Sequence, residues 1–383
     1  MIRAKKLPKL ILVNFLVLLL CFSLLALAPP ALSDAFRYLQ TAVKKIGLFN
    51  SKTKEDPRAL LPNYENSKWA GEHFKEFDQL TSTYFDYIGW RRKPFSGKTI
   101  NVDPLGYRQN SPAKISILQE SKIWVFGGST TWGSGARDFE SIPAFLEQAT
   151  QSPTFNFGES GYVAHQNLNL LMKAYLDGGR PQNVIFYDGV NEVLHKCRSM
   201  QTPFSTAYEG KIRWQIEENF RLSSQSLWQV FAPSTQVLQK LFASIYTPST
   251  PAAKYSCDID SIKTQKIAEG LVNDWKTARF IAESNGAKFS AILQASAYTG
   301  QPNLQHLKLV TEDSDLRNQF NAVYPAIRQA LKSHKFPYLD FSDVFNGDQH
   351  FYIDGYHVSP NGNELVAQKI AQHLAKLIRA TKP

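Results

Sequence analysis

The chain is poor in the residues that hold metals. Only three of its 383 residues are cysteine, and its eight histidines are dispersed. No pair has the C-x-x-C or H-x-x-x-H spacing of a zinc site. No metal is expected. A dense cationic run is also missing. The net charge is +10 and the pI about 9.3, yet the lysines and arginines are scattered, with no cluster beyond Arg91-Arg92-Lys93. So diffuse a basic footprint argues against a nucleic-acid partner. There is no internal repeat and no low-complexity tract.

Three further absences concern the stretch FGGSTTWG at 126–133. Gly128 and Gly133 have the spacing of a P-loop, but Ser134 follows where the phosphate-binding lysine would stand. The second glycine of a dinucleotide fingerprint is missing after Gly127, because Ser129 occupies that place. The G-x-S-x-G elbow fails as well, since Thr131 stands two residues after Ser129. A nucleotide cofactor is therefore not expected, and neither is any other cofactor.

What is present supports a large folded unit: 43% hydrophobic and 20% charged residues allow a sizeable core. Arg3, Lys5, Lys6 and Lys9 precede an apolar run from Leu10 to Ala28. That run approaches the roughly 20 residues a membrane-spanning helix needs, and exceeds an ordinary signal-peptide core. The reading is a basic cytoplasmic segment at 1–9 and a transmembrane signal-anchor at 10–28, with the remaining chain extracytoplasmic. Secretion after cleavage near Ala31-Leu32-Ser33 is the alternative. Cys21 falls inside the run. Outside the cytoplasm the other two, Cys197 and Cys257, are candidates for a disulfide, two free buried thiols being the alternative. Such a bridge would contribute roughly 4 kcal/mol by the chain-entropy account.

Residues 30–115 read as a lead-in packed on the main domain. Within it, Lys98–Gln109 suggests a short strand, a Pro-Leu-Gly turn and a second strand. From 116 to 383 strands and helices alternate. Strands are expected at Lys122–Phe126, Thr154–Phe157, Asn183–Tyr187, Lys288–Gln294 and Phe336–Leu339. Helices are expected at Ser141–Gln148, Gln166–Leu176, Ser261–Ser284, Leu316–Ser333 and Asn361–Arg379. Leu168, Leu171 and Met172 should share one helix face, as should Leu365, Ile370, His373 and Leu374. A stretch at about 195–258 breaks the rhythm and reads as an insertion. The alternation predicts a five-stranded parallel sheet covered on both faces. In such sheets ligands sit beyond the carboxyl ends of the strands.

That is where the notable residues fall. A serine hydroxyl at 129 is a weak nucleophile unless a base, an orienting group and oxyanion donors surround it. FYIDGYHVSPNG at 351–362 offers Asp354 and His357 just ahead of the last helix. The carboxylate can hold one ring nitrogen and leave the other for the serine proton. Candidate donors are the Ser129 N–H, the Gly161 N–H and the Asn191 side-chain amide. His165 and His195 are expected at the surface or behind the site. Trp132 and Tyr356 flank it, either as a wall for sugar or as ordinary packing.

Serine in a GGS turn, glycine in N-x-G-x-x-G, asparagine in G-x-N, and D-x-x-H before the terminal helix resemble, in this order, the SGNH/GDSL hydrolases. The resemblance runs from 122 to about 379. It implies a flavodoxin-like α/β/α sandwich, with Ser129 as nucleophile, His357 as base and Asp354 as its orienter. It further implies an oxyanion hole of Ser129, Gly161 and Asn191. Two positions depart from the family: Gly128 replaces the acid of G-D-S, and Glu192 the acid after Asn191. The expected activity is that of a serine esterase, with O-acetyl groups of a carbohydrate or acylated polysaccharide as the leading substrate. Acyl transfer to a polysaccharide by the same triad, or non-catalytic glycan binding in a scaffold, are the alternatives.

Overall fold

A computed structural model describes residues 56–111, 116–198 and 255–380, together with 202, 206–210, 212, 213 and 216. The basic segment 1–9, the anchor 10–28 and most of the expected insertion lie outside the described residues. Among the described residues no helix is long and apolar enough to cross a membrane. Residues 55–209 and 253–383 form one unit. The other, 1–54 with 210–252, falls outside the description except at 210, 212, 213 and 216.

The chain enters through helix α1 (Ala70–Gln79) and an antiparallel hairpin of β1 (Ser82–Phe85) and β2 (Gly89–Arg92). A second small pair joins β3 (Phe95–Ser96) to β4 (Asn101–Val102). Within Lys98–Gln109 the turn forms as the sequence suggests: Asp103 accepts from the N–H groups of Leu105 and Tyr107, and Gly106 takes φ +88°. The returning strand amounts to a single bridge between Val102 and Arg108. Arg108 turns inward, donating to the carbonyls of Trp132, Gly133 and Ala136 and pairing with Asp138.

The main sheet contains β5 (Ile123–Gly127), β6 (Thr154–Asn156), β7 (Asn183–Asp188), β8 (Lys288–Leu293) and β9 (Leu339–Asp340), all parallel, in the order β6-β5-β7-β8-β9. Between them run α2 (Ser129–Trp132), α3 (Ile142–Thr150), α4 (Ala164–Leu176), α5 (Ser261–Ser284), α6 (Lys308–Glu312), α7 (Ser314–Ser333) and α8 (Pro360–Ala380). Period-two alternation sends Trp124, Phe126, Val184 and Phe186 to one face, where they join Leu171, Leu271 and Val323 of α4, α5 and α7. Ile123, Val125, Ile185 and Tyr187 meet Leu146 of α3 and Val366, Ile370 and Leu374 of α8 on the other. The result is three layers, with the order reversing beside β5. This is the switch point at which open sheets of this type bind ligands.

Three expectations are corrected. The last strand begins at Leu339, not Phe336, because the end of α7 occupies that stretch: Lys335 takes φ +50°, and the Phe336 N–H returns to the Leu331 carbonyl. Met172 is exposed, and the buried stripe of α4 runs through Leu170 and Leu171 instead. On α8, Val366, Ala367, Ile370 and Leu374 are buried, while Leu365 and His373 lie at the margin. Cys197 and Cys257 form a disulfide with their Cα atoms 5.2 Å apart. It is flanked by a bridge between Arg198 and Tyr255.

Candidate active site

The glycine pair after β5 has a steric reason. A Cβ at Gly127 would lie 2.2 Å from Thr131 Oγ1 and 2.7 Å from the Tyr187 carbonyl oxygen. One at Gly128 would lie 2.4 Å from Asn191 Nδ2. The chain can therefore turn directly from the strand into α2, which starts at Ser129 and is closed by Gly133 at φ +94°. Ser129 thus stands at the tip of β5, the strand beside which the order reverses, with its hydroxyl at the sheet rim.

Beyond β6, Glu159 N–H donates to the Gly127 carbonyl at 3.2 Å, tying that loop to the serine turn. Gly161 follows at φ +79°. Beyond β7, Asn191 Nδ2 donates to the Tyr162 carbonyl at 2.7 Å. This uses one amide hydrogen, and the other meets no acceptor among the described residues. The departure at Glu192 proves structural. Its buried carboxylate accepts from the N–H groups of Ala164 (2.7 Å) and Gly189 (3.1 Å), bracing the Asn191 turn against α4.

The loop after β9 brings Asp354 and His357. Ile353 N–H donates to the His357 carbonyl at 3.0 Å, and the turn between them closes on Asp354. Asp354 Oδ1 accepts from the N–H groups of Tyr356 (2.9 Å) and His357 (2.8 Å). His357 Nδ1 lies 2.6 Å from Asp354 Oδ2, and Nε2 lies 2.6 Å from Ser129 Oγ. With the proton on Nδ1 donated to the carboxylate, Nε2 accepts from the serine hydroxyl. Thr130 ties the two loops together. Its hydroxyl donates to the Tyr356 carbonyl at 3.1 Å and accepts from Gln294 Nε2 at 2.9 Å.

Burial opposes the charge of Asp354, but the facing His357 and the two backbone N–H groups outweigh it, and its pKa lies below the ordinary 3.8. A carboxylate depressed in this way adds stability above its unfolded pKa and loses it as pH falls through the lower folded value. Asp354→Asn is therefore expected to flatten the acid side of the stability curve. Its melting temperature, followed from about pH 5 to about pH 3, should fall less than that of the wild type. Parallel curves would show that the carboxylate is not stabilised by folding.

The structure brings Ser129, His357, Asp354, Gly161 and Asn191 to one rim. Among the described residues, neither the Ser129 N–H nor the Gly161 N–H meets an acceptor. His195 also comes close: a Cβ on Gly161 would lie 3.6 Å from its Nε2, while its buried Nδ1 has no partner among the described residues. Burial, with Arg198 and Lys196 nearby, pushes its pKa down to about 4. His165 stands at the surface, paired with Asp274 at 2.9 Å. Trp132 is fully buried beneath Arg108, whose guanidinium carbon sits 4.3 Å from the ring centroid, so it packs and forms no wall. Tyr356 is half-buried, its ring edge-on to His357 at 4.7 Å. No group of three or more His, Cys, Asp or Glu side chains among the described residues is placed to hold a metal ion.

Sequence reasoning passed over Trp90, Arg92, Glu159, Thr130 and Gln294. The signal for Arg92 was its place in the chain's densest cationic cluster, which reads as solvated surface. Here Arg92 instead turns onto the buried Glu159, and Arg91 lies over Tyr107 with its guanidinium carbon 3.8 Å from the ring centroid.

A family model described as GDSL-like lipase/acylhydrolase matches residues 123–370. No curated protein shows significant sequence similarity to the chain. Solved structures with a related outline include a putative lipolytic protein of the G-D-S-L family from Desulfitobacterium hafniense DCB-2. Its identity is 15% and its TM-score 0.36, covering 66% of this chain and 98% of that one. A GDSL-like lipase from Bacteroides thetaiotaomicron VPI-5482 has identity 15% and TM-score 0.36, covering 69% and 93%. Est24, a carbohydrate acetylesterase from Sinorhizobium meliloti, has identity 12% and TM-score 0.38, covering 67% and 99%. Scores this low say nothing about substrate. The family match extends from β5 into α8, well over half of the sequence and through every strand of the main sheet, and the chain belongs to the GDSL-like lipase/acylhydrolase family.

Proposed function

We propose that this serine hydrolase is an esterase acting outside the cytoplasm on O-acyl groups of a carbohydrate, through an acyl-enzyme on Ser129. The observation that carries the reading is the unbroken line from Ser129 Oγ to His357 Nε2 and from His357 Nδ1 to Asp354, both steps 2.6 Å. His357 Nε2 takes the serine proton as Oγ attacks the ester carbonyl. The oxyanion is received by the N–H groups of Ser129 and Gly161 and the free amide hydrogen of Asn191. Collapse expels the alcohol, which leaves with the proton from His357. Water then gives its proton to the same nitrogen and attacks the acyl carbonyl, releasing the carboxylic acid and restoring the serine.

Placement outside the cytoplasm is supported by the apolar run at 10–28, which we propose as an uncleaved anchor, and by the disulfide, which persists in oxidising compartments. A sugar on the alcohol side is supported by the half-buried ring of Tyr356 beside His357 and by the exposed Tyr208, whose ring meets that of Trp90 at 4.7 Å. A fluorophosphonate probe tests the site directly. Adduct is expected at Ser129, absent in Ser129→Ala and strongly reduced in His357→Ala. A folded wild-type protein that takes no label would overturn the esterase mechanism. Incubation with an acetylated oligosaccharide should then release free acetate. Transfer to an added acceptor sugar in place of acetate release would reassign the enzyme as an acyltransferase.

A further inference from the structure

Glu159 to Tyr162 form a tight turn: the Tyr162 N–H donates to the Glu159 carbonyl at 3.3 Å. Gly161, third in the turn, has φ +79°, as a type II turn requires. A type I turn over the same four residues would have its central peptide turned over. That central peptide joins Ser160 to Gly161. It is planar and trans, so its C=O and N–H point in opposite directions. Whatever holds the Ser160 carbonyl therefore aims the Gly161 N–H.

The holder is Trp90 on β2. Its indole Nε1 donates to the Ser160 carbonyl at 3.0 Å. Trp90 is buried, and its Cζ2 lies 3.4 Å from where a Gly161 Cβ would sit. Its own carbonyl accepts from the Tyr162 hydroxyl. Arg92 adds two more ties: its N–H donates to Glu159 Oε2 at 3.0 Å, and its Nη2 to Ser160 Oγ at 2.9 Å. Glu159 Oε1 in turn accepts the Ser160 N–H at 2.7 Å. The turn is thus held from the lead-in hairpin through its Ser160 carbonyl and its side chains, and the Gly161 N–H is left without an acceptor among the described residues.

We infer that Trp90 is a positioning residue: by holding the Ser160 carbonyl it fixes the flip of the Ser160–Gly161 peptide and points the Gly161 N–H at the developing oxyanion. The lead-in hairpin then supports the site from outside: residues 123–370 hold all three donors, but the group that aims one of them lies on β2. Packing alone does not call for the contact, because an apolar side chain could pack there without donating to the carbonyl. The inference rests on the site reading proposed above.

Two substitutions separate the donor from the bulk. Trp90→Phe keeps an aromatic ring and removes the N–H. Trp90→His keeps an N–H where the indole one sits and removes the second ring. With p-nitrophenyl acetate, Trp90→Phe is expected to lower kcat about fivefold to tenfold, the loss of one neutral hydrogen bond, with KM within about twofold. The inhibition constant of a phenylboronic acid, which forms a tetrahedral adduct on serine, should rise by the same factor. Trp90→His should retain most of the wild-type kcat. A fully active Trp90→Phe enzyme, or equal losses in the two variants, would overturn the inference and leave Trp90 as packing. Probe labelling of wild-type Ser129 keeps the two readings apart. If that labelling fails, the site reading itself falls; if it succeeds, the Trp90 pair decides the positioning role alone.

Discussion

Alanine at position 357 is expected to lower kcat for an aryl acetate on the order of 10^4-fold, with KM changed little. The size follows from what the imidazole does twice. At neutral pH an alcohol hydroxyl is almost wholly protonated, so Ser129 attacks usefully only when Nε2, 2.6 Å away, removes the proton as the bond forms. The same nitrogen must then deprotonate water in the second half-reaction. Asp354 keeps the ring turned the right way, bonded at once to Nδ1 and to the backbone N–H of the same residue. Its own position is set by backbone and does not depend on the ring alone. Loss of the imidazole should therefore leave the serine turn intact, and a small external imidazole should recover part of the rate. Stopped-flow release of p-nitrophenol measures the acylation step directly. A His357→Ala enzyme within tenfold of wild type would remove this histidine from the chemistry.

Asn191→Ala should cost on the order of a hundredfold or more in kcat, corresponding to roughly 3 to 4 kcal/mol of barrier. The amide is well placed for this. One hydrogen is committed to the Tyr162 carbonyl, which fixes the plane of the group, and Nδ2 hangs over the Cα of Gly128, next to Ser129. The second hydrogen is presented in a fixed direction and needs no reorganisation when charge develops. Asn191→Asp makes a sharper companion, since it preserves shape but offers the oxyanion a second negative charge. It should be at least as damaging as alanine. An unchanged acylation rate in both would leave the two backbone N–H groups as the whole of the hole.

Much of this was legible in the sequence because the chemistry sits where local signals are strongest. The short segments 123–127, 154–156 and 183–188 form buried parallel strands, and the serine, glycine and asparagine blocks follow them in that order. Asp354 and His357 are three residues apart, so one turn suffices to join them. The supporting contacts were illegible for the opposite reason. Trp90 meets Ser160, and Thr130 meets Tyr356, across separations of 70 and 226 residues, and no periodicity encodes such pairings. The hairpin of β1 and β2 carries weak alternation: Ser82, Thr83 and Tyr84 are exposed, so no apolar face announces it. Arg91 and Arg92 were misleading because a cationic pair normally points to water, whereas here Glu159 and the ring of Tyr107 receive them. The late start of β9 turned on Lys335 adopting a left-handed backbone, which lysine gives no reason to expect.

The crowding at Gly128 has a bearing on how such a site changes over generations. A side chain at that position would displace the Asn191 amide from its present seat, since its first atom would fall 2.4 Å from Nδ2. A residue larger than glycine at 128 and the amide in its present seat are thus coupled choices, not independent ones. Any side chain there settles only if the amide end of Asn191 gives way. Selection acting on one of these two loci is felt at once by its counterpart on the neighbouring strand.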